Sequence, residues 1–213
     1  MKDYEPTQEQ FDKDMSTWTM EALRDDGLYR HLRFRLAGGG FRWFDIVTWP
    51  DKLVITGDCE TFAFTRTADM FEFFRQSGQR INPGYWQEKI VDGRERAVGF
   101  DADRFRDEVR RRRREAVRAW KLDGMEKYDR RDAWEAIESE VIEMIDDQHE
   151  AVAYATVSNF GHYWYDSRHE SHRITIDTDE WPRCQGFDFH YIWCCRAIAW
   201  AIAQYDAQKG QTP

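Results

Sequence analysis

The sequence lacks several features that assign a protein to a class directly. It contains no uncharged apolar run of about 18 residues, which argues against a transmembrane helix. Its 4 cysteines form no Cys-x-x-Cys pair, and a disulfide framework needs more cysteine in a shorter chain. The N-terminal residues include no apolar segment typical of a secretory signal. We therefore expect reduced thiols and a cytosolic protein.

Aromatic residues, in contrast, are abundant. The 213 residues include 10 Trp, 14 Phe and 9 Tyr, whereas disordered chains contain few aromatic residues. This length predicts one domain with a substantial core, and we assign residues 1–213 to a single α+β domain. Its three consecutive parts are predicted at about 7–78, 79–150 and 151–206.

The first part is predicted to form a sheet. Phe11, Met15 and Trp18 have helical spacing, which predicts a helix over residues 7–20. Four alternating runs with short connections then predict a four-stranded antiparallel β-meander. These runs are 32–36, 41–49, 53–56 and 61–65. Gly38-Gly39-Gly40 lies between two of the strands rather than before a helix, so we interpret it as a hairpin turn and not as a phosphate-binding loop.

A layer of helices is predicted to pack on one face of this meander. Asn82-Pro83 is typical of a helix start, a basic helix spans about 103–121, and an acidic helix spans about 132–148. An almost wholly apolar stretch within 187–205 predicts a central, buried C-terminal helix. The predicted core residues are Phe44, Ile46, Val54, Phe62, Phe64, Phe71, Phe74, Ile137, Val141, Ile192, Ile198 and Ile202.

Charge is divided unevenly along the chain. Residues 94–131 hold 14 Lys and Arg against 9 Asp and Glu, or +5. The rest of the chain holds 17 against 31, or −14, and the net charge is −9. This balance opposes non-specific binding to duplex nucleic acid and suits a protein that competes for a basic groove. On that hypothesis, acidic residues that contact the partner are Glu138, Asp146 and Asp147.

Five consecutive arginines, Arg110 to Arg114, lie within the predicted basic helix. The apolar stripe of this helix passes through position 112 or 113, so at least one arginine is predicted to face inward. We favour pairing of the arginines with the acidic helix of the same chain. One alternative is that the basic and acidic helices of two chains pair across a homodimer. Another alternative is a phosphate-binding surface. Its contact residues would be Arg110, Arg111, Arg113 and Arg114.

A second basic surface is predicted on the polar side of the meander, at His31, Arg33 and Arg35. With Trp43 or Trp49 nearby, such a face could bind single-stranded nucleic acid by base stacking. We favour a face that is solvated or covered by the acidic helix, because antiparallel sheets often expose one polar face.

Histidines and cysteines form no recognised catalytic pattern. The strongest metal-ligand candidates are His169 and His172, in a region that also contains His162, Asp166 and Glu170. Zinc needs three or four converging ligands, and no second pair at a recognised spacing occurs. His190 is predicted to be a hydrogen-bonded core histidine, and the apolar surroundings of Cys194-Cys195 are expected to raise the thiol pKa. We therefore predict no catalytic residue, no metal and no cofactor.

Several short motifs near the two ends of the chain are specific enough to compare with a protein family. They are Trp43-Phe44-Asp45-Ile46-Val47-Thr48-Trp49-Pro50, Gly57-Asp58, Asp69-Met70-Phe71-Glu72-Phe73-Phe74-Arg75, Ile81-Asn82-Pro83-Gly84-Tyr85-Trp86, and the stretch from Trp193-Cys194-Cys195 through Ala199-Trp200-Ala201-Ile202 to Gln204-Tyr205-Asp206. Together they resemble a family of uncharacterised phage and prophage proteins. The resemblance implies a phage accessory protein of the host cytoplasm, and it implies no catalytic residue.

Small phage accessory proteins often act by binding a host protein. Our first hypothesis is therefore a non-enzymatic inhibitor of a host defence nuclease or surveillance complex, similar to an anti-CRISPR protein. Its partner would be a host protein or nucleoprotein, with no membrane involved. The alternative is a phage protein that binds nucleic acid through the helix of Arg110–Arg114. A second alternative is a metal-dependent enzyme that uses the His162–His190 region.

Overall fold

Alternating apolar side chains along residues 29–57 form the centre of an antiparallel sheet. In the structure, a computed structural model that describes residues 7–38, 42–75, 80–122 and 124–210, this sheet has six strands in chain order. They are β1 (Trp18–Asp26), β2 (Tyr29–Leu36), β3 (Trp43–Trp49), β4 (Lys52–Gly57), β5 (Phe62–Phe64) and β6 (Ile90–Asp92). The predicted meander is confirmed as β2–β5, while Gly39 and Gly40 of the predicted turn lie outside the described residues.

The predicted helix over residues 7–20 is wrong in its second half. Helix α1 (Gln8–Met15) ends where the Ser16 amide donates to the Lys13 carbonyl at 3.3 Å, and the chain then enters β1. Half-buried Trp18 and Met20 alternate there with exposed residues, which is the period of a strand. Met20 pairs with Phe34 of β2, so tertiary packing decides the structure of this segment.

One predicted core residue lies on the wrong face of the sheet. Val54 is only half-buried, whereas its neighbours Leu53 and Ile55 are completely buried. Successive side chains of a strand point to opposite faces, and the register pairs Val54 with Val47 and Ala63 on the outer face. The other predicted core residues are buried.

The chain divides into two units. Unit 1 comprises Met1–Gly99 and Phe187–Pro213, and unit 2 comprises Phe100–Gly186. The chain passes between them within β7 (Val98–Phe100) and β10 (Gln185–Phe187). A 3-10 turn at Arg94–Arg96 precedes the first of these strands. The single domain predicted from the sequence stays a prediction.

Four helices complete the described part of unit 1: α1, α2 (Met70–Arg75), α3 (Pro83–Gln87) and α7 (Phe189–Gly210). Helix α7 contributes nine buried residues to the same core as the sheet, in agreement with the predicted central C-terminal helix. Its Tyr191 hydroxyl donates to the Pro83 carbonyl at 2.7 Å, which anchors α7 to α3. The Asn82 side chain accepts from the Tyr85 amide, so the predicted helix start is confirmed.

A largely buried ion pair in unit 1 joins the sheet to α2. The guanidinium of Arg30 on β2 donates to both carboxylate oxygens of Asp69, at 2.9 and 3.0 Å. Asp69 also accepts from the Phe71 amide at 2.9 Å and so caps α2. The guanidinium carbon lies 4.5 Å from the Phe71 ring centroid and 5.6 Å from that of Tyr205 on α7. One charged side chain therefore joins β2, α2 and α7.

The backbone conformation at Gly57, at the end of β4, requires a glycine. Its φ of +139° favours glycine, and an added Cβ would lie 2.5 Å from the Trp43 carbonyl oxygen. We expect Gly57→Ala to lower the free energy of unfolding by about 1–3 kcal/mol in urea denaturation. Gly84→Ala is the matched control, because no atom lies within 4 Å of its added Cβ. An equal loss in both variants would contradict this explanation.

Unit 2 is mainly helical. Helix α4 (Ala102–Leu122) confirms the predicted basic helix. The predicted acidic helix ends early: α5 (Lys127–Ile137) continues into a π-helical turn (Glu138–Ile142), and turns follow. Next come α6 (Glu150–Asn159), which the sequence did not predict, and a hairpin of β8 (His162–Tyr165) and β9 (Ser171–Ile174). Phe105 is at the centre of a separate aromatic core with Phe100, Tyr154 and Trp181.

Candidate functional site

Most arginines of the run on α4 form ion pairs with acidic residues of unit 2. Glu108, which is buried, accepts from Arg111 at 2.5 and 2.7 Å and from Arg112 at 2.8 Å. The hydrogen bonds from Arg111 lower the pKa of Glu108 despite its burial, and those from Arg112 add to the effect. Arg111 also donates to Glu115 at 2.7 Å. Arg110 forms a separate ion pair with Asp107, at 3.0 Å.

Arg113 is the arginine that faces inward, as the apolar stripe predicted. It is only 6% exposed, donates to Glu138 at 2.5 Å, and its guanidinium lies 3.7 Å from the Trp134 ring centroid. This contact confirms pairing with the acidic segment for Arg113. Arg114 is exposed and has no hydrogen bond or ion pair within the described ranges. The homodimer stays a prediction, because Glu138 is supplied by the same chain.

The other acidic candidates also have intramolecular partners. Asp147 accepts from Arg106 of α4 at 2.5 Å. Asp146 accepts from the backbone amides of Gln148 and then His149, and these bonds lower the pKa of its carboxyl group. Both residues therefore stabilise the turn between the π-helical segment and α6. A contact of either with another molecule stays a prediction.

The outer face of the unit 1 sheet carries a polar network. Asp45 on β3 accepts from Arg33 at 2.7 and 2.8 Å and lies 2.8 Å from the His31 ring nitrogen. Burial alone would raise the pKa of Asp45, but these two partners outweigh it and lower the pKa. The Arg33 guanidinium also lies 4.8 Å from the Trp43 ring centroid, whereas Arg35 is exposed and its side chain makes no hydrogen bond or ion pair among the described residues.

The β8–β9 hairpin presents two tyrosines on its outer face. Tyr163 and Tyr165 are 58% and 64% exposed, and they pair across the strands with exposed Arg173 and Ser171. The opposite face carries Trp164, which is buried in the core of unit 2. Sequence reasoning did not find these tyrosines. Their alternation with buried Trp164 is the signal that could have identified a strand with one exposed face.

The turn of this hairpin brings together Asp166, Glu170 and His172. One donor atom from each lies within 4.8 Å of the others. Asp166 Oδ1 accepts from the backbone amides of Glu170 and Arg168, at 2.9 and 2.8 Å, and the Glu170 amide is the first cause of the lowered pKa of Asp166. His169 is exposed at φ +61° and is not part of this cluster.

The remaining histidine and cysteine candidates do not join that cluster. His162 lies 3.4 Å from Asp132, and His190 is exposed in unit 1, so the prediction of a core histidine is wrong. The Asp188 side chain accepts from the His190 amide at 2.8 Å and caps the start of α7. Cys194 and Cys195 are buried, and burial raises the pKa of Cys195 to about 12. This shift opposes a thiolate nucleophile.

Comparisons of the chain with protein-family models, with curated proteins and with solved structures found no match. Within the described residues, no helix is long and apolar enough to cross a membrane.

Proposed function

We propose that this protein acts by binding a host protein, as a phage accessory protein that inhibits a host defence complex in the manner of an anti-CRISPR protein. Its site of action would be the host cytoplasm. The observation that carries the proposal is the exposed pair Tyr163 and Tyr165 on a two-stranded hairpin. The net charge of −9 and the motif resemblance support it further.

Tyrosine is well suited to the centre of a protein interface. Its ring buries a large area with little loss of side-chain freedom, and tyrosines are enriched among residues that dominate binding energy. Tyr163 and Tyr165 lie two residues apart on one strand, so both rings project from the same face. Arg173 lies opposite Tyr163 and adds a third group common in such interfaces.

The arrangement favours this function over nucleic-acid binding through α4. Arg110, Arg111 and Arg113 already have carboxylate partners, and a phosphate would have to compete with them. Release of counterions, which drives binding to nucleic acid, is correspondingly smaller. Nucleic-acid binding stays the alternative and predicts affinity that falls steeply with salt.

A plating assay tests the proposed inhibition. Bacteria that carry an active CRISPR defence against a phage would express the protein, and phage plating should rise towards that of a strain without the defence. The variant Tyr163→Ala/Tyr165→Ala should lose this protection. Tyr128→Ala is the matched control, since Tyr128 is 76% exposed and belongs to α5 rather than to either hairpin strand. No protection across the defence types tested would count against the inhibitor function.

A direct binding experiment separates protein recognition from bridging by nucleic acid. Tagged protein would be incubated with the purified defence complex, with and without nuclease. We expect binding that survives nuclease and is weakened by the double tyrosine variant but not by Tyr128→Ala. Binding that disappears with nuclease, and weakens when Arg114 becomes Glu, would instead favour the nucleic-acid alternative.

A further inference from the structure

We infer that Asp166, Glu170 and His172 form a binding site for a divalent transition-metal ion of the zinc class, at the turn of the β8–β9 hairpin. This site does not depend on the proposed function. It replaces the pair His169 and His172 suggested by sequence spacing, because the hairpin brings two carboxylates to His172 and leaves His169 outside the cluster.

The donor set has the chemistry that zinc uses. Imidazole nitrogen and carboxylate oxygen both bind Zn²⁺ at about 2.0–2.2 Å, and donors around a tetrahedral ion then lie about 3.3 Å apart. His172 Nε2 and Asp166 Oδ2 are already 3.4 Å apart. The third donor belongs to Glu170, which is exposed and lies within 4.8 Å of the other two, so a small side-chain rotation completes the set.

Two of the three ligands are held in place before an ion binds. Asp166 uses Oδ1 to accept the amides of Arg168 and Glu170, which leaves Oδ2 directed at His172. The His172 ring stacks on Trp164, with centroids 4.5 Å apart and planes at 20°. Ligands that need little reordering lose little entropy when the ion binds.

His172 Nε2 supplies a second, independent indication. The His172 side chain is 42% exposed, but its Nε2 atom is shielded from solvent and makes no hydrogen bond within the described part of the chain, with Asp166 Oδ2 3.4 Å away. Buried nitrogen atoms normally have a partner, because an unsatisfied polar atom is costly. A metal ion between His172 and Asp166 would satisfy this nitrogen. Three protein ligands would leave one position for water or a partner's donor atom.

The test uses the full chain, freed of any affinity tag and of metal by chelation. Isothermal titration with Zn²⁺ should show saturable binding of about one equivalent. We expect His172→Ala and Glu170→Gln each to weaken the affinity by at least about 10-fold. Asp166 is not substituted, because it also caps the turn. His169→Ala is the matched control and should keep the wild-type affinity, since His169 is in the same turn but outside the cluster.

Two further measurements keep the outcome decisive. Circular dichroism of His172→Ala should match the wild type, which shows that a lost site is not a lost fold. Co²⁺ bound to the wild type should give the intense visible absorption of a tetrahedral site, and His172→Ala should not. Equal losses in His169→Ala and His172→Ala, or uptake that never saturates, would overturn the inference and indicate adventitious surface binding only.

Discussion

Asp69→Ala is expected to lower the free energy of unfolding by about 3–5 kcal/mol. The substitution leaves the Arg30 guanidinium buried between the Phe71 and Tyr205 rings, without the carboxylate that neutralises it. It also removes the hydrogen bond that caps α2 at the Phe71 amide. Urea denaturation followed by tryptophan fluorescence measures this loss.

Two further variants test whether burial of the ion pair causes the large loss of stability expected for Asp69→Ala. Asp206→Ala breaks the Arg75–Asp206 pair, whose side chains are 38% and 43% exposed, and should cost no more than about 1 kcal/mol. Arg30→Met combined with Asp69→Leu removes both charges and should recover much of the stability lost in Asp69→Ala. Similar losses in Asp69→Ala and Asp206→Ala would contradict the explanation.

The same carboxylate predicts a dependence on pH. Burial alone would raise the pKa of Asp69, but hydrogen bonds from Arg30 and the Phe71 amide outweigh it and hold the pKa below 3.8. The stabilisation is therefore complete above pH 3.8, the ordinary value, and is lost as the pH falls through the lower folded-state pKa. Asp69→Ala should lose less stability than the wild type over that acid range.

Phe105→Ala is expected to have an effect of similar size in unit 2. Phe105 is completely buried, and its ring centroid lies 5.0 Å from those of both Tyr154 and Trp181. Removing a buried phenyl ring leaves a cavity and costs about 3–5 kcal/mol. Scanning calorimetry measures the shift. Exposed Tyr163→Ala is the control and should change stability by less than about 0.5 kcal/mol.

Calorimetry of Phe105→Ala also tests the predicted single domain. If all 213 residues unfold together, one transition shifts as a whole. If unit 2 unfolds separately, calorimetry shows two unfolding transitions, and Phe105→Ala lowers the temperature of only one of them. The first result is the one that the sequence prediction requires.

Strong local patterns made most of the unit 1 sheet predictable. Strands β2–β5 alternate apolar and polar residues and have short connections, so pattern and topology agree. Strand β1 was missed because Trp18 continues the spacing of Phe11 and Met15, and only pairing with β2 shows that the period has changed. Helix α6 was missed because its buried residues are few and include small Ala153.

The candidate site was less predictable than the fold. Its parts depend on register: Trp164 opposes His172 only because Tyr165 pairs with Ser171. The sequence places Asp166 near the histidines, but spacing alone suggested His169 and His172 as the ligands, because it does not show that the Asp166 carboxylate folds back over its own turn. That an arginine at position 112 or 113 faces inward was predictable from helix periodicity, and the structure shows that it is Arg113.

The position of α7 in the sequence has a consequence for biosynthesis. The ribosome makes the sheet of unit 1 first, but α7, which supplies nine buried side chains, comes only after all of Phe100–Gly186. At a synthesis rate of about 5–20 residues per second, the apolar face of the sheet stays without α7 for several seconds. Unit 2 emerges complete in that interval. Nascent chains halted before Phe189 should therefore be the form most dependent on chaperones.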